Sequence, residues 1–216
     1  MLSRLDHIVI AADNYEQGVL YIREKLGVEI PKGGQHKFMG TQNSVMALGE
    51  NIYLEVISID PTLNPPIHPR WFGLDDPQIR NILKESPKLL TWAINSKDLN
   101  STVQSSAVSL GNIISASRND LQWKVAFRQD GTMPASGFIP LCIEWEVDFH
   151  PAVRMVDFGW KLKSLQLFHH HPEWLGDQLE ALSARDEVII HEIEDGQTPY
   201  LEAIIVEEGG LIIRLR

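Results

Sequence analysis

The order of secondary-structure signals repeats along this 216-residue chain. An apolar strand pattern over residues 4–12 is followed by Asp13 and Glu16, which have the spacing of a helix capping box, and Gly27 stops the helix. The apolar face of this helix consists of Tyr15, Val19, Ile22 and Leu26. Short strand patterns follow at about 36–42, 44–49 and 52–58. The stretch therefore predicts a βαβββ unit.

The same order returns twice further along the chain. The second unit has a strand at 89–95, a cap at Asp98 and a stop at Gly111, with strand patterns at about 121–129 and 138–147. Asp13 and Gly27 are 14 residues apart, and Asp98 and Gly111 are 13 apart. A third, looser unit has a strand at 164–169, a helix from Pro172, and strand patterns near 187–194, 200–207 and 210–215. One such unit cannot bury its own sheet face, so each is expected to pack against another.

These repeats predict an α+β protein with the following division: module one at 1–59, a proline-rich segment at 60–87, module two at 88–157 and a C-terminal module three at 158–216. Six prolines make the segment at 60–87 unfavourable for a regular helix or strand. Trp71 and Phe72 within it predict an ordered flap rather than a loose linker.

Composition excludes several classes of function. The net charge is −10 and the basic residues are scattered, which argues against a nucleic-acid partner. Cys142 is the single cysteine, so the chain has no disulfide framework and no cysteine zinc cluster, and we expect a buried structural thiol. No apolar run approaches the roughly 20 residues of a membrane helix. The chain shows no signal-peptide pattern and no nucleotide-binding motif, so we expect a cytoplasmic location and no nucleotide cofactor.

The segment at 33–43 concentrates the residues that a small-molecule site needs. Two adjacent glycines allow a close backbone approach, and polar side chains follow within a few positions. These residues are Gly33, Gly34, His36, Thr41 and Asn43. His7 upstream and Glu55 downstream lie in apolar strand patterns and complete one wall of a predicted site. The alternative is a glycine-rich hairpin whose polar residues are incidental.

Several motifs together resemble the glyoxalase-like domain family of the vicinal oxygen chelate superfamily, which includes glyoxalase I, extradiol dioxygenases and bleomycin-resistance proteins. The motifs are Asp6-His7, the segment at 33–43, Tyr53-Leu54-Glu55, Asp130-Gly131 and the segment at 140–145. The resemblance covers about residues 4–151 well and the remainder weakly. It implies two modules side by side that enclose a cleft. In the superfamily, the first and last strands of each module can supply ligands to a divalent ion such as Zn, Mn, Fe or Ni, which chelates neighbouring oxygens of the substrate.

The resemblance implies His7 and Glu55 as metal ligands in module one. In module two it implies Glu144, because Cys-Ile-Glu there matches Tyr-Leu-Glu around Glu55. The first-strand position of module two falls on Trp92, with Thr91 beside it, and neither is a good ligand. The corresponding positions of module three are Leu165 and Arg214, so we expect that module to contribute packing, or a homodimer contact, and no catalytic group.

Two functions remain open from the sequence. The first is a metal-assisted lyase, isomerase or dioxygenase in which His36 and Glu55 are the catalytic candidates. The second is a metal-free protein that binds or sequesters a small molecule. Either pocket would contain these candidate ligand-binding residues: His7, His36, Thr41, Asn43, Trp145 and His150.

Other conspicuous side chains are expected to be structural. The run from His169 to His171 predicts a polar junction between a strand and a helix, because adjacent strand residues point to opposite faces. Three tryptophans are interpreted as core or interface residues: Trp123, Trp160 and Trp174.

Overall fold

The computed structural model describes residues 3–118 and 120–216, and within these ranges the strands form an eight-stranded and a four-stranded sheet. Module one contains β1 (Arg4–Ala11), α1 (Tyr15–Leu26), β2 (Lys32–His36), β3 (Thr41–Ala47) and β4 (Tyr53–Ile59). Helix α2 (Pro77–Glu85) follows module one. Module two contains β5 (Lys88–Asn95), α3 (Leu99–Ser105), β6 (Asn112–Arg118), β7 (Leu121–Phe127) and β8 (Leu141–Trp145). Module three contains β9 (Trp160–His169), α4 (Pro172–Ala181), β10 (Ile189–Glu192), β11 (Tyr200–Glu207) and β12 (Ile212–Leu215). The predicted α+β class and the βαβββ order are confirmed.

The eight-stranded sheet joins the first two modules in the order β2-β3-β4-β1-β5-β8-β7-β6. In each module the first strand pairs in parallel with the last, and β1 pairs antiparallel with β5 across the module boundary. The sheet curls until its two edge strands meet, with Gly34 of β2 against the Arg118 side chain of β6. The two modules therefore enclose a common interior.

The helix boundaries follow local capping chemistry, with one shift from the prediction. Asn14, not Asp13, caps α1, and its side chain accepts a hydrogen bond from the Gln17 backbone N–H. The Gln17 side chain in turn accepts from the Asp13 backbone N–H, so the capping box is one residue later than predicted. Gly27 ends the helix with φ 69°, as expected. In module two, Asp98 caps α3 as predicted, but the helix ends early and leaves room for β6, which the sequence analysis missed.

The proline-rich segment contains a helix, so the expectation of no regular element there is wrong. Asp76 caps α2, and Pro77 occupies the first turn, where a helix needs no donor from its backbone nitrogen. Upstream of α2, Trp71 and Phe72 are 5% and 4% exposed and pack against the interior side chains of β1 and β4. These two aromatic side chains thus anchor this part of the segment to the sheet.

Module three repeats the element order but not the strand pairing. Its first strand, β9, pairs in parallel with β10 and antiparallel with β11, whereas β12 pairs with β11. Leu165 and Arg214, the module-three positions matched by sequence to the metal ligands of module one, therefore do not occupy equivalent places in the sheet. Leu165 is buried in the core, and Arg214 forms an ion pair with the buried Glu202. The run from His169 to His171 lies at the β9–α4 junction, as predicted.

One apolar cluster extends through all three modules. It combines Ile8, Leu54 and Trp92 of the eight-stranded sheet with side chains of module three such as Leu167 and Leu179. Polar contacts cross the same boundary, because the Glu187 carboxylate accepts hydrogen bonds from the Arg4 side chain and the Leu5 backbone N–H. Module three is therefore part of the same folded body. In the described residues, no helix has the length and apolar character needed to cross a membrane.

Candidate functional site

A small cavity of about 40 Å³ lies inside the curled sheet. Its polar lining is His7, His36, Asn43, Tyr53, Glu55 and Arg118, and its aromatic wall includes Trp71, Trp123 and Trp145. A volume of this size holds only a few water molecules. Of the residues predicted for the site, His7, His36, Asn43, Glu55 and Trp145 line this cavity.

His7 and Glu55 face each other across adjacent strands. The first strand, β1, pairs with β4, and the His7 Nε2 and Glu55 Oε2 atoms are 3.8 Å apart. The imidazole of His7 stacks on Tyr53, with ring centroids 4.4 Å apart. The other carboxylate oxygen of Glu55 accepts a hydrogen bond of 2.6 Å from Asn43 Nδ2. Because Asn43 partners the buried carboxylate, the cost of burying that charge is partly offset.

Asp6 reaches the same region because β1 contains a bulge. Consecutive residues of a regular strand point to opposite faces, so Asp6 and His7 would normally diverge. The pairing of β1 with β5 shifts register between Leu5 and His7, which leaves Asp6 as the extra residue. A bulge of this kind redirects a side chain without breaking the sheet. As a result the Asp6 carboxylate contacts the imidazole of its neighbour.

The Asp6 carboxylate is fully buried and accepts hydrogen bonds from three rings. His7 Nδ1 donates to Oδ1 at 2.6 Å, while Trp145 Nε1 and His150 Nε2 donate to Oδ2 at 2.7 and 2.8 Å. His150 Nδ1 accepts from the Ala152 backbone N–H, which leaves the proton on Nε2. Burial alone would raise the pKa of Asp6, but the hydrogen bonds and charges of His150 and His7 outweigh it and lower the pKa. His150 therefore supports Asp6 and is not part of the cavity lining.

The pKa of His36 lies below its usual range, and the predicted catalytic role of His36 stays a prediction. Burial, with smaller contributions from Arg118 and His7, lowers its pKa from 6.5 to about 4, although Glu55 acts in the opposite direction. Arg118 can only donate, so His36 Nε2 accepts and His36 Nδ1 donates to Thr41 Oγ1 at 3.1 Å. Thr41, also predicted as a ligand contact, therefore orients His36 from behind the cavity wall.

This pKa predicts acid sensitivity of the fold. The unfolded chain binds the His36 proton more tightly than the folded protein, so the free energy of unfolding should decrease as pH falls from 6.5 to 4. The loss attributable to His36 should be about 3 kcal/mol. Urea unfolding at several pH values should show a shallower decrease in His36→Gln than in wild type. The exposed control His171→Gln should keep the wild-type slope, and an unchanged slope in His36→Gln would contradict the assignment.

Glu144 does not point into the cavity, so its expected convergence with His7 and Glu55 is wrong. Along β8 the cavity-facing side chains are Leu141, Ile143 and Trp145, so the intervening glutamate lies on the opposite face. There its carboxylate accepts from the Leu99 backbone N–H at the start of α3 and pairs with Lys124 at 3.1 Å. Glu144 therefore satisfies the first backbone N–H of α3, beside the Asp98 cap.

The donor set does not fit a resident divalent ion. His7 and Glu55 are the two side chains of the expected set that face each other, and the wall contributed by β8 is apolar. Within residues 3–118 and 120–216, no group of three or more histidine, cysteine, aspartate or glutamate side chains could hold a metal. His7 Nδ1 is already hydrogen-bonded to Asp6. Glu144, the ligand expected from module two, does not line the cavity.

Sequence reasoning missed several cavity residues. Tyr53 shares the face of Glu55 by strand alternation, so a signal for it was present. Trp123 was interpreted as a core or interface residue, but it lines the cavity, whereas Trp160 is buried in the core and Trp174 is 41% exposed. No local sequence pattern predicts Asp6 or Arg118 as site residues. A bulge in β1 directs Asp6 toward the site, and the meeting of two sheet edges brings Arg118 there.

Comparison with known proteins agrees with this fold. No characterised protein has a significantly matching sequence. The structure resembles a hypothetical protein from Staphylococcus aureus, with a TM-score of 0.59, 14% identity, and coverage of 99% of this chain and 85% of that one. It also resembles a variant of 4-hydroxymandelate synthase from Streptomyces coelicolor, with a TM-score of 0.50, 14% identity, and coverage of 97% and 60%. At these identities the similarity shows the fold alone.

The sequence itself matches a family model described as a glyoxalase-like domain over residues 5–183. This match covers most of the chain, including the two modules that enclose the cavity. The chain therefore belongs to the glyoxalase-like domain family.

Proposed function

We propose that this protein binds a small, oxygen-rich organic molecule in the cavity and moves a proton on it, as an isomerase or lyase of the glyoxalase-like type. The observation that carries the proposal is the pairing of His7 Nε2 with Glu55 Oε2 at 3.8 Å on the wall of a buried cavity. Proton transfer needs only groups that this chain supplies. The mismatch between the donor set and a resident divalent ion favours this reading over a metal-assisted reaction.

His7 is the base in this proposal. Because Asp6 accepts the Nδ1 proton, the lone pair of His7 lies on Nε2, which faces Glu55. A base there can take a proton from a carbon next to a carbonyl, and the C–H electron pair then moves onto the carbonyl oxygen to give an enolate. When the first carbon carries a hydroxyl group, the hydroxyl proton moves to the former carbonyl oxygen, and return of the first proton to the neighbouring carbon completes an isomerisation. Glu55 has one oxygen held by Asn43, and its other oxygen can exchange the second proton.

A protein that binds the same ligand without turnover is the second candidate. The observation that favours it is the aromatic wall formed by Trp71, Trp123 and Trp145, which offers stacking surfaces beside the polar groups. In this reading the same residues hold an organic molecule and no proton moves. In both readings the partner is a small molecule, while the cytoplasmic location and the homodimer stay predictions.

Hydrogen–deuterium exchange distinguishes the candidates. In D₂O, the wild-type protein should exchange the protons next to the carbonyl of hydroxyacetone, glyceraldehyde or pyruvate faster than buffer does, as followed by proton NMR. His7→Gln and Glu55→Gln should each reduce the exchange rate by about 100-fold or more, the usual contribution of a general acid or base. His171→Gln, which changes an exposed residue outside the cavity lining, should keep the wild-type rate. Addition of EDTA should leave the rate unchanged.

Metal analysis completes the test. Protein purified without added metal or chelator should contain far less than one equivalent of Zn, Mn, Fe or Ni. Glu55→Gln should fold with equal or greater stability, since a buried amide is less costly than a buried carboxylate. One equivalent of metal in wild type that disappears in Glu55→Gln would support the metal-assisted reading and refute ours. Ligand binding without exchange would support the binding protein.

A further inference from the structure

The cavity contains a guanidinium that lacks a carboxylate partner in the described part of the chain. Arg118 is half-buried at the end of β6 and lines the cavity. Its Nη1 atom donates to Asn43 Oδ1 at 2.9 Å and lies 3.4 Å from His36 Nε2. Within residues 3–118 and 120–216, its Nε and Nη2 atoms donate to no protein acceptor. Because a cation is costly to bury without a counter-charge, an incoming anion is favoured here.

Two glycines make room for this arrangement. A Cβ atom on Gly34 would lie 2.4 Å from Arg118 Cδ, and one on Gly33 would lie 2.4 Å from Asn43 Oδ1. Both distances are too short for any side chain, so the glycine pair is what allows the guanidinium and the amide to occupy their positions. The Arg118 side chain therefore packs against the Gly34 backbone, in space that a Cβ atom would otherwise occupy.

Asn43 keeps the cation and the catalytic carboxylate apart. Its Oδ1 atom accepts from Arg118 and from the Gly34 backbone N–H, while its Nδ2 atom donates to Glu55. The amide thus occupies the space in which Arg118 and Glu55 would otherwise form an ion pair. The positive charge stays available to a ligand, and Glu55 stays available for proton transfer.

A second donor at the cavity wall lacks a partner. The indole N–H of Trp71 is buried and makes no hydrogen bond to the described residues, although Trp71 lines the cavity and is 5% exposed. Buried donors are nearly always satisfied in folded proteins, so this N–H is available to a water molecule or to an acceptor on a ligand.

We propose that Arg118, with the Trp71 indole N–H, receives the carboxylate of the ligand, so that the substrate class is a small organic anion such as a 2-oxo or 2-hydroxy acid. The planar guanidinium suits a carboxylate because its parallel N–H groups can engage both oxygens. A cavity of this size suits a small ligand. The position of the reacting carbon, near His7 and Glu55, rests on the proposed function.

Paired binding measurements test the anion site. Formate, acetate, pyruvate and lactate are each compared with the neutral amide of the same acid, with tryptophan fluorescence and the NMR signals of the indole N–H groups as readouts. In wild type we expect at least one carboxylate to bind about tenfold more tightly than its amide, as one charge-assisted contact allows. Arg118→Gln should remove this preference, and Gly34→Ala should weaken it because the charge is kept but displaced. Arg23→Gln, on the exposed face of α1, is the matched control and should keep the preference.

Three outcomes would overturn the proposal: no carboxylate binds more tightly than its amide in wild type, the preference survives in Arg118→Gln, or Arg23→Gln loses it equally. The assay involves no turnover, so it separates the two proposals. A carboxylate preference without deuterium exchange would refute proton transfer alone. Exchange on neutral carbonyl compounds without a carboxylate preference would refute the anion site alone.

Discussion

Deletion of residues 158–216 is expected to produce a chain that aggregates instead of folding. Module three contributes buried side chains to the core cluster that it shares with the eight-stranded sheet, including Leu165, Leu167, Leu175, Leu179, Leu201 and Ile205. Burying one such side chain contributes about 1.5–3 kcal/mol, whereas a whole domain is stable by only about 5–15 kcal/mol. Removing the module would also expose the apolar side chains that it covers, and such a surface drives association.

Expression of the truncated chain, followed by solubility measurement and size-exclusion chromatography, checks this expectation. Arg214→Ala is the control within module three, because Arg216 still pairs with the buried Glu202 after the change. That variant should fold and elute as the wild type does. A soluble, monomeric truncated protein that keeps its ligand affinity would show that module three is an independent appendage.

Asp6→Ala is expected to destabilise the protein by about 3–5 kcal/mol, the usual result of removing one partner from a buried charged network. The change would leave His7 Nδ1, Trp145 Nε1 and His150 Nε2 buried without their acceptor. Because folding lowers the pKa of Asp6, its contribution is present above the ordinary value of 3.8 and is lost as pH falls through the lowered pKa. Urea unfolding at neutral pH measures the loss. Asp195→Asn, which changes an exposed carboxylate, should have little effect.

Asp6→Asn tests the effect of Asp6 on the orientation of His7 separately from its effect on stability, because asparagine keeps the shape of the side chain. An amide presents an N–H group where the carboxylate accepted one, so the His7 proton should move from Nδ1 to Nε2. The lone pair would then face away from Glu55, and the proposed proton transfer should fall by about 100-fold or more. Nitrogen-15 NMR of the imidazole reports the tautomer directly. A variant with the inverted tautomer and wild-type exchange would contradict the role of Asp6 in orienting the base.

Local patterns were sufficient to predict much of the fold and half of the site. The repeated strand–helix–strand order depends on alternation, caps and stops within short windows, and the structure confirms it for the first two modules. Alternation along β4 placed Glu55 on one face together with Tyr53. The polar residues around the Gly33-Gly34 pair reached the same cavity because β2, β3 and β4 form a local meander.

The prediction of Glu144 as a metal ligand failed because a shift of one residue along a strand moves a side chain to the opposite face of the sheet. Glu144 was matched to Glu55 by a similar three-residue string, but the string does not specify which face of β8 is buried. The structure shows β8 one residue out of phase with that match, so an apolar side chain faces the cavity and the glutamate accepts from the first backbone N–H of α3. The expected three-ligand metal site was lost with it.

The sequence by itself determined the family, the order of elements and the residues that can carry a proton or a charge. Those properties depend on side-chain chemistry and on neighbours a few positions away. Tertiary structure alone decided which of these residues meet. Asp6 turns toward His7 only through a bulge created by the pairing of β1 with β5. Arg118 reaches Asn43 only when the distant edge strands β6 and β2 come together. Contacts between residues 75 positions apart depend on closure of the whole sheet, which no local window of sequence contains.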